Sequence, residues 1–336
     1  MKTNQHYFTT MKPGERWFAG IVVFMLSALL SVGCKKTDDT GFNKATPTLF
    51  QYISNNKDLG LYRAALKRAR MDNAEAFSTG GPLTVFAPVD SAFTRAGLTL
   101  DSIGKYDPQA LSQVMKYTLV YGKISSQGLV GFYQQDALSK NATYKPRLNK
   151  NYYGIYFDGI PLVTNGSTDL NDGVLHELTR VALPPTNNLF ATINKIPSLA
   201  IFTAVLKKIG QADVISVPPP KNPYNPNEGD GGLYYTVFAP TNDAFKNIGY
   251  PDVAAIENSD VSTLQRLITE THIMRSKYLT SGFKGGYSFF YDYYYVAADG
   301  FTIITKGNVL PTHIIGPDII ATNGVMQIVD QVIVQR

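Results

Sequence analysis

The chain has 336 residues, 44% of them hydrophobic and 17% charged, with a formal net charge of +5. That length suits two domains of ordinary size, and the composition excludes a disordered polymer. The cationic excess is small and dispersed, which argues against a nucleic-acid partner.

Lys2, Lys12 and Arg16 precede the apolar run WFAGIVVFMLSALLSV, which ends at Val32 and is followed by Gly33 and Cys34. A basic start, a short apolar stretch and small residues before a cut describe an export signal rather than a membrane span. Cys34 is the single cysteine of the chain, so the folded part must hold together without internal disulfides. The stretch resembles a bacterial lipoprotein signal, with Gly33 at the small position before the cut and Ser31 where leucine is more usual. The resemblance implies that residues 1–33 are removed and that Cys34 carries the lipid. Several acyl chains, each buried methylene contributing about 0.8 kcal/mol, would anchor the protein permanently. Residues 34–44 then read as a polar tether. Asp38 and Asp39 within it look like the surface-display signal of some Bacteroidetes lipoproteins. Without the leader, 28 basic residues face 25 acidic ones, so the basic character is mostly the leader's.

The remainder is written twice. LFQYISNNKDLGLYRAALKRA from Leu49 matches LFATINKIPSLAIFTAVLKKI from Leu189. Leu61, Tyr62, Ala65 and Leu66 align with Ile201, Phe202, Val205 and Leu206, an apolar stripe with helical spacing. TVFAPVDSAF from Thr84 matches TVFAPTNDAF from Thr236. Thr-Val-Phe favours a strand, and Pro88 and Pro240 lack the amide that would continue it. Asp90 and Asn242 are of the residue types that cap a helix, so each word predicts a strand turning into a capped helix. NDGVLHELTRV from Asn171 matches TNGVMQIVDQV from Thr322, a closing strand entered through Asp172-Gly173 or Asn323-Gly324, residues that tolerate positive φ.

TVFAP with its Asp/Asn-x-Ala-Phe, a central helix and an Asn-Gly-Val closing strand resemble the fasciclin domain, twice over. The resemblance implies an α+β fold: two tandem fasciclin-like β-wedge or sandwich domains with packed helices, at residues 45–185 and 186–336. Many family members carry a Tyr-His pair linked to integrin-type adhesion in animals. Here Tyr117 is followed by Thr118, and His272 is preceded by Thr271, so neither domain has both. Tyr117 and His272 remain candidate interaction residues, with a backbone-bonded buried role the plainer expectation for His272. Asp330 occupies a family aspartate position that Thr179 fills in the first copy, which argues against catalysis by that residue.

A Pro-rich insertion at 217–232 separates the second domain's helices from its TVFAP strand, and its acidic tail lacks the spacing of a calcium loop. Tyrosines cluster in NKNYYGIYFDG (149–159) and GGYSFFYDYYYV (285–296), expected in corresponding regions, with Tyr291 and Tyr294 as candidate stacking platforms. No phosphate loop, nucleophile elbow or paired histidines at metal spacing occurs. The expectation is a non-enzyme with no cofactor or metal: a lipid-anchored protein of the cell envelope, in the outer membrane, that acts as an adhesion or protein-binding module. The alternative is a glycan-binding accessory lipoprotein of a polysaccharide uptake system, with an envelope or extracellular protein or glycan as partner.

Overall fold

The computed structural model describes residues 46–128, 133–220, 234–289 and 294–334. The leader, Cys34 and the tether lie outside them, as do most of the Pro-rich insertion and Tyr291.

The first copy opens with helices: α1 (Leu49–Asn55), α2 (Gly60–Arg68), the one-turn α3 (Glu75–Ser78), then strand β1 (Leu83–Pro88), α4 (Asp90–Arg95), α5 (Leu100–Lys105) and α6 (Pro108–Tyr117). Strands follow: β2 (Leu119–Tyr121), β3 (Tyr133–Asp136), β4 (Arg147–Asn151), β5 (Gly154–Phe157), β6 (Ile160–Asp169) and β7 (Gly173–Leu178). The second copy repeats the order with α7 (Leu189–Asn194), α8 (Ala200–Lys208), the short α9 (Gln211–Val214), β8 (Tyr235–Pro240), α10 (Asn242–Lys246), α11 (Val253–Glu257), α12 (Val261–Ile268), β9 (Ile273–Arg275), α13 (Thr280–Phe283), β10 (Tyr287–Phe289), β11 (Tyr294–Val296), β12 (Thr302–Thr305), β13 (Thr312–Ala321) and β14 (Gly324–Val329).

Each copy builds one seven-stranded sheet, in the orders β2-β1-β7-β6-β5-β4-β3 and β9-β8-β14-β13-β12-β11-β10. The orders superimpose strand for strand. In both, the TVFAP strand pairs parallel with the closing strand and antiparallel with a short edge strand. That central position explains the repeated word. Val85 and Ala87 point into the helix-side core, while Phe86 points into a second cluster with Phe157, Leu148 and Tyr117. The Phe86 and Phe157 rings lie 4.7 Å apart although they come from opposite wings of the sheet, so the sheet curls upon itself as a wedge. Val237, Ala239 and Phe238 divide in the same way between the two clusters of the second domain. A strand covered on both faces needs an apolar or fully bonded side chain at every position. Thr84 meets that demand by donating to the Gly122 carbonyl at 2.7 Å and accepting from the Ile124 amide at 2.8 Å, and Thr236 does likewise with Ser276 and Tyr278.

Two expectations about the corners need correction. Val89 and Thr241, not Asp90 and Asn242, occupy the caps of α4 and α10. Asp90 Oδ1 instead accepts from the Leu61 amide at 2.7 Å, and Asn242 Oδ1 from the Ile201 amide at 3.0 Å. Each thus satisfies an orphan donor at the start of α2 or α8, a helix that lies far away in sequence. The Asp/Asn-Gly turns work in the same way. Asp172 accepts from the Leu49 amide at 2.7 Å and Asn323 from the Leu189 amide at 2.8 Å. Neither Gly173 nor Gly324 has positive φ. A Cβ there would instead stand 2.1 Å from the Leu83 carbonyl oxygen, or 2.2 Å from that of Tyr235, so close backbone approach excludes a side chain.

Candidate functional site

The two domains meet through a polar junction made from the outer wing of the first sheet and the segment Lys277–Lys284 of the second domain. Asp158 sits at the β5–β6 turn with φ +48°, followed by Gly159 at +77°, which aims its carboxylate inward. That carboxylate accepts from the Arg147 amide at 2.9 Å and from the Tyr117 hydroxyl. Across the boundary it is paired with Lys277 Nζ at 3.2 Å, both side chains being buried. Arg147 is bound to Asp136 from its Nε at 2.7 Å and its Nη2 at 3.2 Å, and its Nη1 crosses to the Lys277 carbonyl at 3.1 Å. Asn149 and Asn151 donate to the Ser281 hydroxyl and carbonyl. The Tyr234 ring lies 5.9 Å from the Arg147 guanidinium and 5.6 Å from the Lys277 ammonium. Removing one member of so dry a pair would leave an uncompensated charge buried at the junction.

From the second domain, Asp318 completes the junction. It adopts φ +57° on β13, accepts from the Thr280 amide at 2.8 Å and from its hydroxyl, and stands where any side chain on Gly159 would collide with it. Burial pushes its carboxyl above the ordinary range, against the pull of these donors.

Tyr117 and His272 are both brought into the interior and not to a surface. The Tyr117 hydroxyl is spent on Asp158, and burial followed by the Asp158 charge pushes its pKa well up. His272 Nε2 accepts from the Ile333 amide at 3.0 Å, which leaves the proton on Nδ1 toward Thr271 Oγ1 at 2.6 Å. Complete burial drives its pKa down to about 3, so the ring is neutral. The departures from the Tyr-His pair compensate each other. Tyr62 bonds Thr118 at 3.0 Å in domain 1, whereas Phe202 packs against His272 at 6.4 Å in domain 2. The corresponding pair thus exchanges a hydrogen bond for a ring contact. As placed, neither Tyr117 nor His272 can touch a partner.

The tyrosine clusters are offset by one strand. NKNYYGIYFDG forms β4, its turn and β5, whereas GGYSFFYDYYYV forms β10 and β11, which correspond to β3 and β4. Tyr152 and Tyr153 at the β4–β5 turn are 98% and 52% exposed, and Tyr295 on β11 is also exposed. Tyr291 lies outside the described residues; Tyr294 belongs to β11, paired with Thr305 and Phe289. Of the insertion, Val217 and Pro220 are tied down by Asn323 and Arg275 respectively.

Flanking the ionic junction is a cleft of about 370 Å³. Domain 1 lines it with Arg95, Tyr156, Pro161 and Arg180, and domain 2 with Lys284, Phe301 and Pro317. Lys284 Nζ lies 5.9 Å from the Tyr153 ring and 5.8 Å from the Tyr156 ring. Neither this cleft nor the buried charges were legible from the sequence, since Asp158, Lys277, Arg95 and Lys284 are far apart in the chain. The one available signal was the pair of Asp-bearing turns with glycine or proline beside them, FDG and GPD.

Known proteins resemble both halves of the chain. The family profile described as the fasciclin domain matches residues 57–184 and 197–335. Protein sll1483 of Synechocystis sp. is 30% identical over 145 residues, 41% of this chain and 74% of that protein. Transforming growth factor-beta-induced protein ig-h3 of Sus scrofa is 22% identical over 343 residues, 99% of this chain and 46% of its own. Periostin of Homo sapiens is 25% identical over 229 residues, 67% of this chain and 24% of its own, so the chain spans less than half of either animal relative. Among solved structures, a FAS1 domain pair from the insect cell adhesion molecule fasciclin I aligns over 82% of this chain and 98% of its own, with 14% identity and a TM-score of 0.35. Two profile matches in tandem, each on one curled seven-stranded sheet with its own helical cap, establish that this chain belongs to the fasciclin family.

Proposed function

We propose that the protein is a non-catalytic adhesion or protein-binding module of the cell envelope, held in the outer membrane by a lipid on Cys34. The observation that carries this reading is the buried polar junction between the domains. Two binding domains fixed in one relation present a single extended surface, and ordering entropy that a flexible pair would lose on binding has already been spent in folding. The exposed Tyr152–Tyr153 turn adds flat amphipathic rings of the kind that recur at recognition surfaces. The same rings, with the cations around them, support a second reading as a glycan-binding accessory lipoprotein of a Bacteroidetes-type uptake system.

Two experiments test the proposal. Labelled palmitate should enter the wild-type protein and not Cys34→Ala; equal incorporation refutes the anchor. Beads coated with the wild-type protein should attach to cells or matrix, and the Tyr152→Ala/Tyr153→Ala variant should attach less. A protein that attaches to nothing, or attaches equally well without these rings, sinks the adhesion reading.

A further inference from the structure

The cleft beside the junction is distinguished by charge. Arg95, Arg180 and Lys284 line it and no carboxylate does, although the buried Asp318 lies behind Gly159 within electrostatic reach of Arg180. Arg95 donates to the Thr179 carbonyl, while Lys284 rests over tyrosine rings and not on an anion. The duplicated fold supplies its own control. The domain 2 residues that correspond to Arg95, Thr179 and Arg180 are Asn247, Asp330 and Gln331. All three differences make the domain 1 cleft more positive: two cations are present where domain 2 has amides, and a carboxylate is absent where domain 2 has one. In domain 2 that carboxylate is occupied, since Asp330 accepts from the His313 amide at 2.6 Å and lies 3.1 Å from its Nδ1. Position 179 keeps the backbone role without the charge, because the Thr179 amide and hydroxyl both reach the Pro161 carbonyl. The position that holds Asp330 in domain 2 therefore carries no carboxylate in domain 1, beside Arg95, Arg180 and Lys284.

The rest of the lining narrows the ligand. Phe301, Pro161 and Pro317 provide flat apolar walls and Tyr153 stands beside Lys284 at the rim, which suits the carbon–hydrogen face of a sugar ring. We propose that this interdomain cleft binds a carboxylated oligosaccharide, a uronic-acid segment whose carboxylates meet Arg95, Arg180 and Lys284 while a ring packs on the apolar walls. Both domains contribute, so the site exists only while the junction is closed. The inference rests on the reading of the protein as a binding module and names one of its ligand classes.

The test uses the full-length protein in detergent micelles, with polygalacturonate oligomers and their methyl-esterified form as probes, by calorimetry at low and moderate salt. Binding to the acid form is expected, weakening with salt and lost on esterification. Thr179→Asp, Arg95→Asn and Arg180→Gln each install the residue that domain 2 uses at the same place, and each, once its folding is checked by thermal unfolding, should lower affinity at least about tenfold, the effect of losing roughly 1.4 kcal/mol. Lys284→Gln should do the same from the other domain. Equal affinity for the esterified polymer, indifference to all four substitutions, or tighter binding of polyglutamate than of the uronate would each overturn the proposal. A protein that ignores uronates yet still attaches beads to cells loses this site alone and leaves the adhesion reading standing.

Discussion

At the fourth residue of the closing strand, domain 1 places His176 and domain 2 places Gln327. Both are buried, and both serve the backbone carbonyl that follows the edge strand: His176 Nε2 reaches the Ile124 carbonyl at 2.8 Å, and Gln327 Nε2 the Tyr278 carbonyl at 3.1 Å. Their other ends diverge. His176 Nδ1 meets Ser167 Oγ at 2.8 Å, whereas Gln327 holds Asp318 with both atoms of its side-chain amide, Oε1 accepting from the backbone nitrogen at 2.8 Å and Nε2 donating to Oδ1 at 2.9 Å. Serine ends its network there. Aspartate has a second oxygen, which recruits Thr280 at the start of α13 and builds the domain 2 half of the junction. A carbonyl buried in a duplicated scaffold must be satisfied in both copies, so its donor persists in some chemical form. The group on the far side of that donor is free to change, and there the two domains have become different.

The largest expected effect breaks the junction between the copies. Lys277→Met should destabilise the protein by about 3–5 kcal/mol by leaving Asp158 buried without its cation. Adding Asp158→Asn should recover much of that loss. Denaturant unfolding followed by separate domain probes would show the single variant splitting into two transitions; a single unshifted transition would contradict the account of the junction.

Next come the positions where the copies agree. Gly173→Ala and Gly324→Ala each push a methyl group into a carbonyl of the adjacent parallel strand, and each should cost about 1–3 kcal/mol or more. The effect should be equal in the two domains, as a differential scanning trace of each variant would report. A neutral result at either site would mean that the strands separate more readily than the duplicated packing implies.

A pH series separates the domains through their histidines. The unfolded chain protonates a histidine near 6.5, whereas folded His272 resists protonation down to about 3. Between these values the unfolded state binds the extra proton, so stability falls as pH falls, by up to about 1.4 kcal/mol per unit. His176, whose pKa is also lowered chiefly by burial, acts in the same direction. His272→Gln should flatten much of the slope between pH 6 and about 4.5, while Asp318, its carboxyl raised by burial, acts in the opposite direction in both proteins. An unchanged slope in urea unfolding would place the acid sensitivity elsewhere.

The smallest effect concerns the family aspartate. Asp330→Thr gives domain 2 the residue of domain 1 and removes the acceptor of the His313 amide, at an expected cost of about 1 kcal/mol. Midpoints of chemical denaturation resolve that difference, and a loss above about 3 kcal/mol would show that the two closing strands are not equivalent supports.

TVFAP, the apolar stripe of the upstream helix and the Asp/Asn-Gly entry to the last strand were enough to read two α+β domains from the chain alone, and the fasciclin type followed from the resemblance these motifs carry. Those signals are local: strand propensity, helical spacing and a proline without an amide act within a few residues. The cap assigned to Asp90 failed for the complementary reason. A short polar side chain beside a helix start looks the same whether it serves its own helix or, as here, Leu61 from the neighbouring one. Gly173 and Gly324 were likewise legible as glycines required by the fold, but the requirement came from a carbonyl on another strand and not from φ.

The sequence by itself determined the duplication and the fold of each copy, because an apolar pattern repeated in order specifies the same core wherever it occurs. Only the tertiary structure decided which polar residues meet. It sent Tyr117 and His272 into the interior, joined Asp158 to Lys277 across the domain boundary, and gathered Arg95, Arg180 and Lys284 around one cleft. Charges act through space and carry no periodicity along the chain, so their partners become visible only once the sheets have curled and the domains have closed on each other.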